Sequence, residues 1–315
     1  MIARQKASGF SAHALTAPTF LDPTSFTPSK TKRKASVPDF ARAPTMAIFK
    51  NLTISSVLAT LAVAAPIEKR IAPNPNLHVA LPLYSYPLAG VWDPTYNTIA
   101  SNPSTTFDVI INPSSGPGSY PPESDYLAGV HKLQTYSNVN VYAYVRTGFT
   151  DRSVSDVADD INTYKKWTTD LNTPLTGFFV DEAPNTVGDG NSNVNYMKDV
   201  HSSIGSSFQT WTNPGSTVDA AFYDYADTVT AFETDYSTWV DPARTAIPWD
   251  LHSKTSVMIM RYDGAASGAA DQAKILIERG FKSGFVWGNE DYQQFSQAWA
   301  TFSDSCAQHA GSYKA

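Results

Sequence analysis

The stretch VNVYAYVRTGFTDRSVSDVADDINTYKKWTTDLNTPLTGFFVDEA, residues 139–183, holds a complete strand–helix–strand unit. Its two ends, Val139–Arg146 (VNVYAYVR) and Gly177–Asp181 (GFFVD), are short β-branched and aromatic runs of the kind that form buried strands. Between them Ser153–Thr169 has helical character. Ser153-Val-Ser-Asp opens it like a capping box, with Asp where Glu or Gln would be stronger. A strand, a helix-length connection and a second strand make a parallel pair, because a parallel crossover needs a connection of that length.

The same alternation continues in both directions. His78–Tyr86 (HVALPLYSY) and Phe107–Asn112 (FDVIIN) lie upstream. Ser207–Asn213, Thr228–Glu233, Ser256–Tyr262 (SVMIMRY) and Gly284–Gly288 lie downstream. Helical segments are read over Ala265–Arg279, stopped by Gly280, and over Asp291–Gln308. Eight such units in roughly 240 residues predict an α/β fold, a single-domain (β/α)8 TIM-type barrel over residues 75–312. An open doubly wound sheet is the alternative, but no glycine-rich phosphate loop follows the first run.

Composition narrows the function classes. Residues 1–70 carry ten Lys or Arg and three Asp or Glu, which leaves 13 basic and 26 acidic residues beyond Arg70. A net charge of about −13 there repels nucleic acid and anionic membrane and tolerates a cationic substrate. Cys306 is the only cysteine; it falls in a helical pattern and reads as a buried side chain rather than a catalytic thiol. The six histidines include no pair at metal-ligand spacing, and those of the barrel region read as surface or helix residues. Val187–Asn193 (VGDGNSN) lacks the alternating acids of a calcium loop, and no Gly-x-Ser-x-Gly occurs. No metal or other cofactor is expected.

The front of the chain reads as a targeting segment. From Met46, MAIFKNLTISSVLATLAVAAPIEKR has a basic Lys50, an apolar Leu52–Ala65 run of 14 residues and small residues at its end. Residues 46–65 are thus expected to be a secretory signal peptide, too short for a membrane span. Residues 66–70 are expected to be a short propeptide ending in the dibasic Lys69-Arg70, with a mature chain from near Ile71. Residues 1–45, rich in Pro, Ser, Thr and basic residues, are expected to be disordered and a gene-model extension; a transit peptide ahead of the signal is the alternative.

In a barrel of this kind the chemistry sits at the C-terminal ends of the strands. Those ends read Tyr84 and Tyr86, Asn112, Arg146, Asp181 and Glu182, Asn213, Glu233, Arg261 with Asp263, then Asn289 and Glu290. Cleaving a glycosidic bond requires one carboxyl to protonate the leaving oxygen and a second to attack carbon or activate water. Asp181-Glu182 and Glu233 stand two units apart on one expected rim, where about 5–9 Å of separation suits such chemistry. Consecutive strand residues face opposite ways, so one of Asp181 and Glu182 is expected to face the substrate. A helix N-cap for Asp181-Glu182, and an ion pair of Glu233 with Arg146 or Arg261, are the structural alternatives. Sugar rings stack on aromatic faces, which adds Tyr144, Trp211 and Trp287 to Tyr84, Tyr86, Asn112, Arg146 and Asn213 as expected substrate-binding residues.

On LPLYSYP with Trp92 and Pro94, INPSSGPG, AYVRTGFTDRS, GFFVDEA, TNPG at Thr212–Gly215 and AFE at Ala231–Glu233, the sequence resembles the spherulin-4 family, glycoside hydrolase family 135. The resemblance runs from about Leu81 to Trp299 and fits less well at MIMRYDG and VWGNED. It implies a (β/α)8 barrel, endo-hydrolysis of α-1,4-linked N-acetylgalactosamine in galactosaminogalactan, and catalytic carboxylates at Asp181, Glu182 and Glu233. Within it Asp181 is expected to be the nucleophile and Glu233 the acid/base; Glu182 is a supporting carboxylate, with an exchange of roles with either as the alternative. A secreted, monomeric fungal enzyme is expected, with association to the cell wall as the alternative to free release. A non-catalytic cell-wall or spore-coat polysaccharide-binding protein of the same fold is the alternative, and a hydrolase of another amino-sugar polymer is a third.

Overall fold

The computed structural model describes residues 72–239, 247–289, 291–310 and 312. The extension, signal and propeptide expected over residues 1–70 lie outside the described residues, as does Glu290. Eight strands follow in chain order: β1 (His78–Leu83), β2 (Phe107–Ile111), β3 (Val139–Arg146), β4 (Gly177–Asp181), β5 (Gln209–Asn213), β6 (Thr228–Asp235), β7 (Thr255–Met260) and β8 (Ser283–Val286). Each pairs in parallel with the next, and β8 closes on β1 through His78↔Ser283 and Val79↔Gly284. The expected (β/α)8 barrel is therefore the fold.

The described α-helices lie between the strands and after the last of them: α1 (Asp93–Ser101), α2 (Ser124–Leu133), α3 (Val154–Asp170), α4 (Ser192–Ile204), α5 (Ala266–Glu278) and α6 (Gln297–His309). A 3₁₀ segment, Ala220–Tyr225, stands between β5 and β6. The Ser153 hydroxyl accepts the Asp156 N–H at 3.1 Å and so caps α3, whose Val157, Ile161, Tyr164 and Trp167 form the buried stripe. In α6, Trp299 is fully buried against Phe107 and donates its indole N–H to the Ala80 carbonyl at 3.0 Å. Losing such a side chain costs about 3–5 kcal/mol. Gly284 lets both outer helices close on β8: a Cβ there would stand 2.5 Å from Leu276 Cδ1 and 2.8 Å from Phe302 Cζ.

Several boundaries differ from expectation. The first strand ends at Leu83 rather than Tyr86, so Tyr84 and Tyr86 belong to the loop above it. The last helix starts at Gln297 rather than Asp291. Hydrogen bonds of the β8 loop hold residues 291–296 out of helical form: the Trp287 indole donates to the Asp291 carbonyl, and the Gly288 N–H to Ser296 Oγ at 2.8 Å. His252, expected at the surface or on a helix, is wholly buried in the 3₁₀ segment Trp249–Lys254, stacked on Phe281. Cys306 is buried on α6 as expected, and burial pushes its thiol pKa up.

The barrel interior is filled by an aromatic column. Tyr142 meets Trp211 edge-on at 5.3 Å, Trp211 meets Phe179 at 5.2 Å, and Phe179 leads to Tyr144 at 6.2 Å. The register carries that inward parity up to the rim, where Arg146, Asp181 and Asn213 lie side by side on β3, β4 and β5.

On β6 the parity changes. Thr230 faces inward, because its hydroxyl accepts the Trp211 indole N–H at 2.9 Å. Strict alternation would then turn Phe232 inward and Glu233 outward. Thr230 pairs with Ser256, however, and Phe232 with Val257, so Ala231 is an extra residue at a β-bulge. Beyond it Phe232 packs on Trp239 at 4.6 Å, and Glu233 turns inward to meet Asn213. Deleting Ala231 should give plain pairing that leaves Phe232 outward and Glu233 in the cleft, because the residue removed is the one the register skips. Any activity of the site should therefore survive the deletion; a folded deletion variant that has lost it would contradict this reading of the bulge.

Candidate active site

Two half-buried carboxylates, Asp181 and Glu233, share one donor. The Asn213 side-chain amide nitrogen donates to Asp181 Oδ1 at 2.8 Å and to Glu233 Oε2 at 2.6 Å. Two hydrogen bonds from one nitrogen place the accepting oxygens roughly 5 Å apart. The amide cannot present itself the other way round, because Asn213 Oδ1 accepts the Gly215 N–H at 3.0 Å within the Thr212–Gly215 turn. Asp181 Oδ2 takes a further bond from the Tyr144 hydroxyl at 2.7 Å, and Glu233 Oε1 one from the Tyr292 hydroxyl. Tyr84 completes the set, its ring 5.6 Å from Tyr144 and 5.1 Å from Tyr292.

Electrostatics separates the two acids. Burial raises the pKa of Asp181, while the Tyr144 hydroxyl, the Glu182 N–H, the Asn213 amide and the Arg146 charge all pull it back. Burial also raises Glu233; Tyr292 and Asn213 oppose that, but the negative charge of Asp181 pushes it up further. Glu233 is thus the member whose surroundings include a like charge, and Asp181 the one offered an opposite charge. Such a split lets one acid hold a proton while its neighbour is ionised. The Tyr84 and Tyr292 hydroxyls are pushed well above their ordinary value, first by burial and then by these carboxylates, so both remain proton donors.

Glu182 lies apart from this pair. Its φ of 51° is left-handed, and its carboxylate meets Arg146 Nε at 3.3 Å on the exposed rim. The next loop is held against it. The Thr147 hydroxyl donates to the Glu182 carbonyl at 2.6 Å, and the Phe149 N–H donates to the same oxygen at 2.6 Å. Phe149 and Thr150 also have positive φ, 54° and 84°. Left-handed backbone costs roughly 1–2 kcal/mol per non-glycine residue, so strain is concentrated on the turn that carries Asp181 and Glu182.

The structural alternatives for the acids do not describe this arrangement. No helix begins at Asp181-Glu182, since α4 starts at Ser192. Arg146 pairs with Glu182 and Arg261 with Asp235, which leaves Glu233 to its Asn213 and Tyr292 partners. Of the expected substrate-binding residues, Tyr84, Tyr144, Arg146 and Asn213 gather at the pair. Tyr86 stands aside, its hydroxyl on Glu123 at 2.5 Å, and Asn112 Oδ1 accepts the Gly116 N–H to shape its own loop.

The two tryptophans offer no exposed face. Trp211 is 1% exposed inside the barrel, below Asn213. Trp287 is 3% exposed and stacks on Phe285, with its N–H committed to the Asp291 carbonyl. Strand parity explains both: a residue two places below an inward rim side chain lies in the core, and a β8 ring supports the loop above it. Tyr292 escaped sequence reading because it fell inside an expected helix. The signal was Ser296, an N-cap type of residue six positions after Glu290. Among the described residues no cluster of His, Cys, Asp and Glu is arranged to hold a metal ion, and no helix is long and apolar enough to cross a membrane.

The model of spherulation-specific family 4 matches residues 78–306. Spherulin-4 of Physarum polycephalum is 32% identical over 180 residues, 54% of this chain; the match spans about half, 51%, of that relative's length. The crystal structure of Aspergillus clavatus Sph3 in complex with GalNAc aligns with a TM-score of 0.67 at 29% identity, covering 75% of this chain and 98% of that one. A chitinase from Bacteroides thetaiotaomicron shares the fold at a TM-score of 0.50 and 10% identity, over 75% of this chain and 97% of its own.

The raised carboxyl pKa values link the site to stability. The folded protein holds these two protons to higher pH than the unfolded chain does. Stability therefore declines as pH rises from the ordinary carboxylate range through the folded-state values, and the ionised pair is a burden above that window. Glu233→Gln should melt above wild type at pH 7, by roughly 2–4 °C for each kcal/mol relieved. The gain should shrink as pH falls into the carboxylate range. A variant that melts below wild type across the whole range would contradict this.

Proposed function

Because the chain belongs to spherulation-specific family 4, we propose that it is a secreted glycoside hydrolase cutting α-1,4-linked N-acetylgalactosamine within galactosaminogalactan. The observation that carries this is the Asn213 amide held between Asp181 and Glu233 at the C-terminal rim of the barrel. The GalNAc bound by Aspergillus clavatus Sph3, 29% identical to this chain, supports the sugar class. Secretion is supported by the signal-like segment 46–65 and the dibasic Lys69-Arg70.

Glu233, raised by burial and by its neighbour's charge, protonates the glycosidic oxygen as the bond breaks. Asp181, ionised and steadied by Tyr144 and Asn213, attacks the anomeric carbon. Water then enters, gives its proton to Glu233 and releases the sugar from Asp181. A separation of roughly 5 Å between the carboxylates suits this two-step retaining course. Retention at this linkage also calls for a protein nucleophile. In an α-galactosaminide the acetamido group at C2 is cis to the leaving oxygen, so it cannot attack from the opposite face in place of a protein nucleophile. Glu182 and Arg146 line the rim as a supporting pair, and Tyr84 faces the sugar.

Asp181→Asn and Glu233→Gln should each lower kcat by about 10³-fold or more with the fold intact. The assay is reducing-end release from α-1,4-linked N-acetylgalactosamine polymer, with α-galactosaminide and β-linked N-acetylglucosamine chains alongside. Oligosaccharides should come from the α-N-acetylgalactosaminide. Near-normal rates in both variants would remove the role assignment. Binding without any release from wild type would favour a non-catalytic polysaccharide-binding protein instead.

A further inference from the structure

Phe149 combines two properties that nothing in the free protein rewards. It leaves 59% of its surface exposed, one of few large apolar side chains among the described residues to do so. Its backbone is also left-handed, between Gly148 at φ 60° and Thr150 at φ 84°. An aromatic residue in that conformation is an outlier, and exposure to water returns none of the strain. The conformation is imposed from the catalytic side, because the Phe149 N–H is bonded to the Glu182 carbonyl, which Thr147 also holds. Arg152 ties the other end of the loop back by donating its guanidinium to the Arg146 carbonyl at 2.7 Å.

The surroundings give the ring a setting. Arg146, whose guanidinium lies close to Gly148, pairs with Glu182 and also lines a cleft of about 370 Å³ formed with the Ser114–Gly118 loop, Arg152 and Asp160. Arg146 thus joins the Glu182 side of the site to a polar recess, and the exposed Phe149 ring is carried by the loop that leaves Arg146. Apolar C–H faces of pyranose rings lie against aromatic faces, whereas the hydroxyl and amide edges of the same sugar need polar partners. An exposed ring on the Arg146–Arg152 loop and polar groups of Arg146 and Arg152 in the neighbouring recess offer both kinds of partner to a sugar unit outside the cleaved pair.

Resting on the proposed polysaccharide hydrolysis, we propose that Phe149 is a stacking platform for a pyranose ring at an outer subsite, and that this subsite gives the enzyme its preference for long chains.

The test compares Phe149→Gly, Phe149→Ala and Phe149→Tyr with wild type on α-1,4-linked N-acetylgalactosamine oligosaccharides of increasing length. Melting of each variant is measured in parallel, and oligosaccharide affinity is measured in a Glu233→Gln background. Phe149→Gly and Phe149→Ala should raise KM and weaken affinity about tenfold on the longest chains, the effect growing with chain length. Phe149→Tyr should restore both. The glycine variant should melt at or above wild type, since it relieves the left-handed strain; a ring kept for packing would instead melt lower. Wild-type cleavage with Phe149→Gly matching it at every length would overturn the subsite alone. Wild type that neither binds nor cleaves these chains would overturn the hydrolase assignment, and the subsite with it.

Discussion

One amide nitrogen fixes the centre of this site. Asn213 must turn its nitrogen toward the carboxylates because its oxygen is taken by the Gly215 N–H, and Gly215 in turn accepts the Glu233 N–H at 3.0 Å. Strand end, turn and opposing acid are therefore one hydrogen-bonded unit. Two half-buried carboxylates at this range repel, and the shared donor lowers that penalty for both without neutralising either. The tyrosines complete the balance from outside, Tyr144 on Asp181 and Tyr292 on Glu233. Because Asp181 also receives the Glu182 N–H and the field of Arg146, the two acids are inequivalent although they share a partner.

The barrel supplies what that nitrogen cannot. Parallel register brings Arg146, Asp181 and Asn213 to one level on three adjacent strands, above a column of packed rings that leaves them no room to sink. Glu233 reaches the same level because Ala231 is left out of the β6–β7 pairing. One residue skipped by the register thus puts an acid rather than a core phenylalanine in the cleft, a use of bulges well suited to the edge of an active site. The backbone strain at Glu182, Phe149 and Thr150 lies on the same rim, where neighbouring loops hold it in place.

Much of this was legible in the sequence. Alternating β-rich and helical segments fix an eight-unit barrel, and polar residues after apolar runs such as GFFV mark the rim. Asp181 faces the pair and Glu182 the rim, in keeping with strand alternation. Other features depend on long-range contacts that periodicity does not carry. The bulge at Ala231 is invisible in TVTAFETD, whose plain alternation places Glu233 on the wrong face. Trp211 looked like a subsite ring because it stands near a strand end, yet it lies two residues below the rim and so within the core. Tyr292 was concealed by an apparent helix that the β8 loop hydrogen bonds prevent from starting before Ser296.

The proposed chemistry depends on Asp181 and Glu233 being close enough for direct attack rather than spaced to admit a water between acid and base. That difference is recorded in the product. Proton NMR of the first sugar released from an α-1,4-linked N-acetylgalactosamine chain, read before mutarotation, should show the α-anomer at the new reducing end. A β-anomer as first product would contradict the assignment of Asp181 as nucleophile beside Glu233.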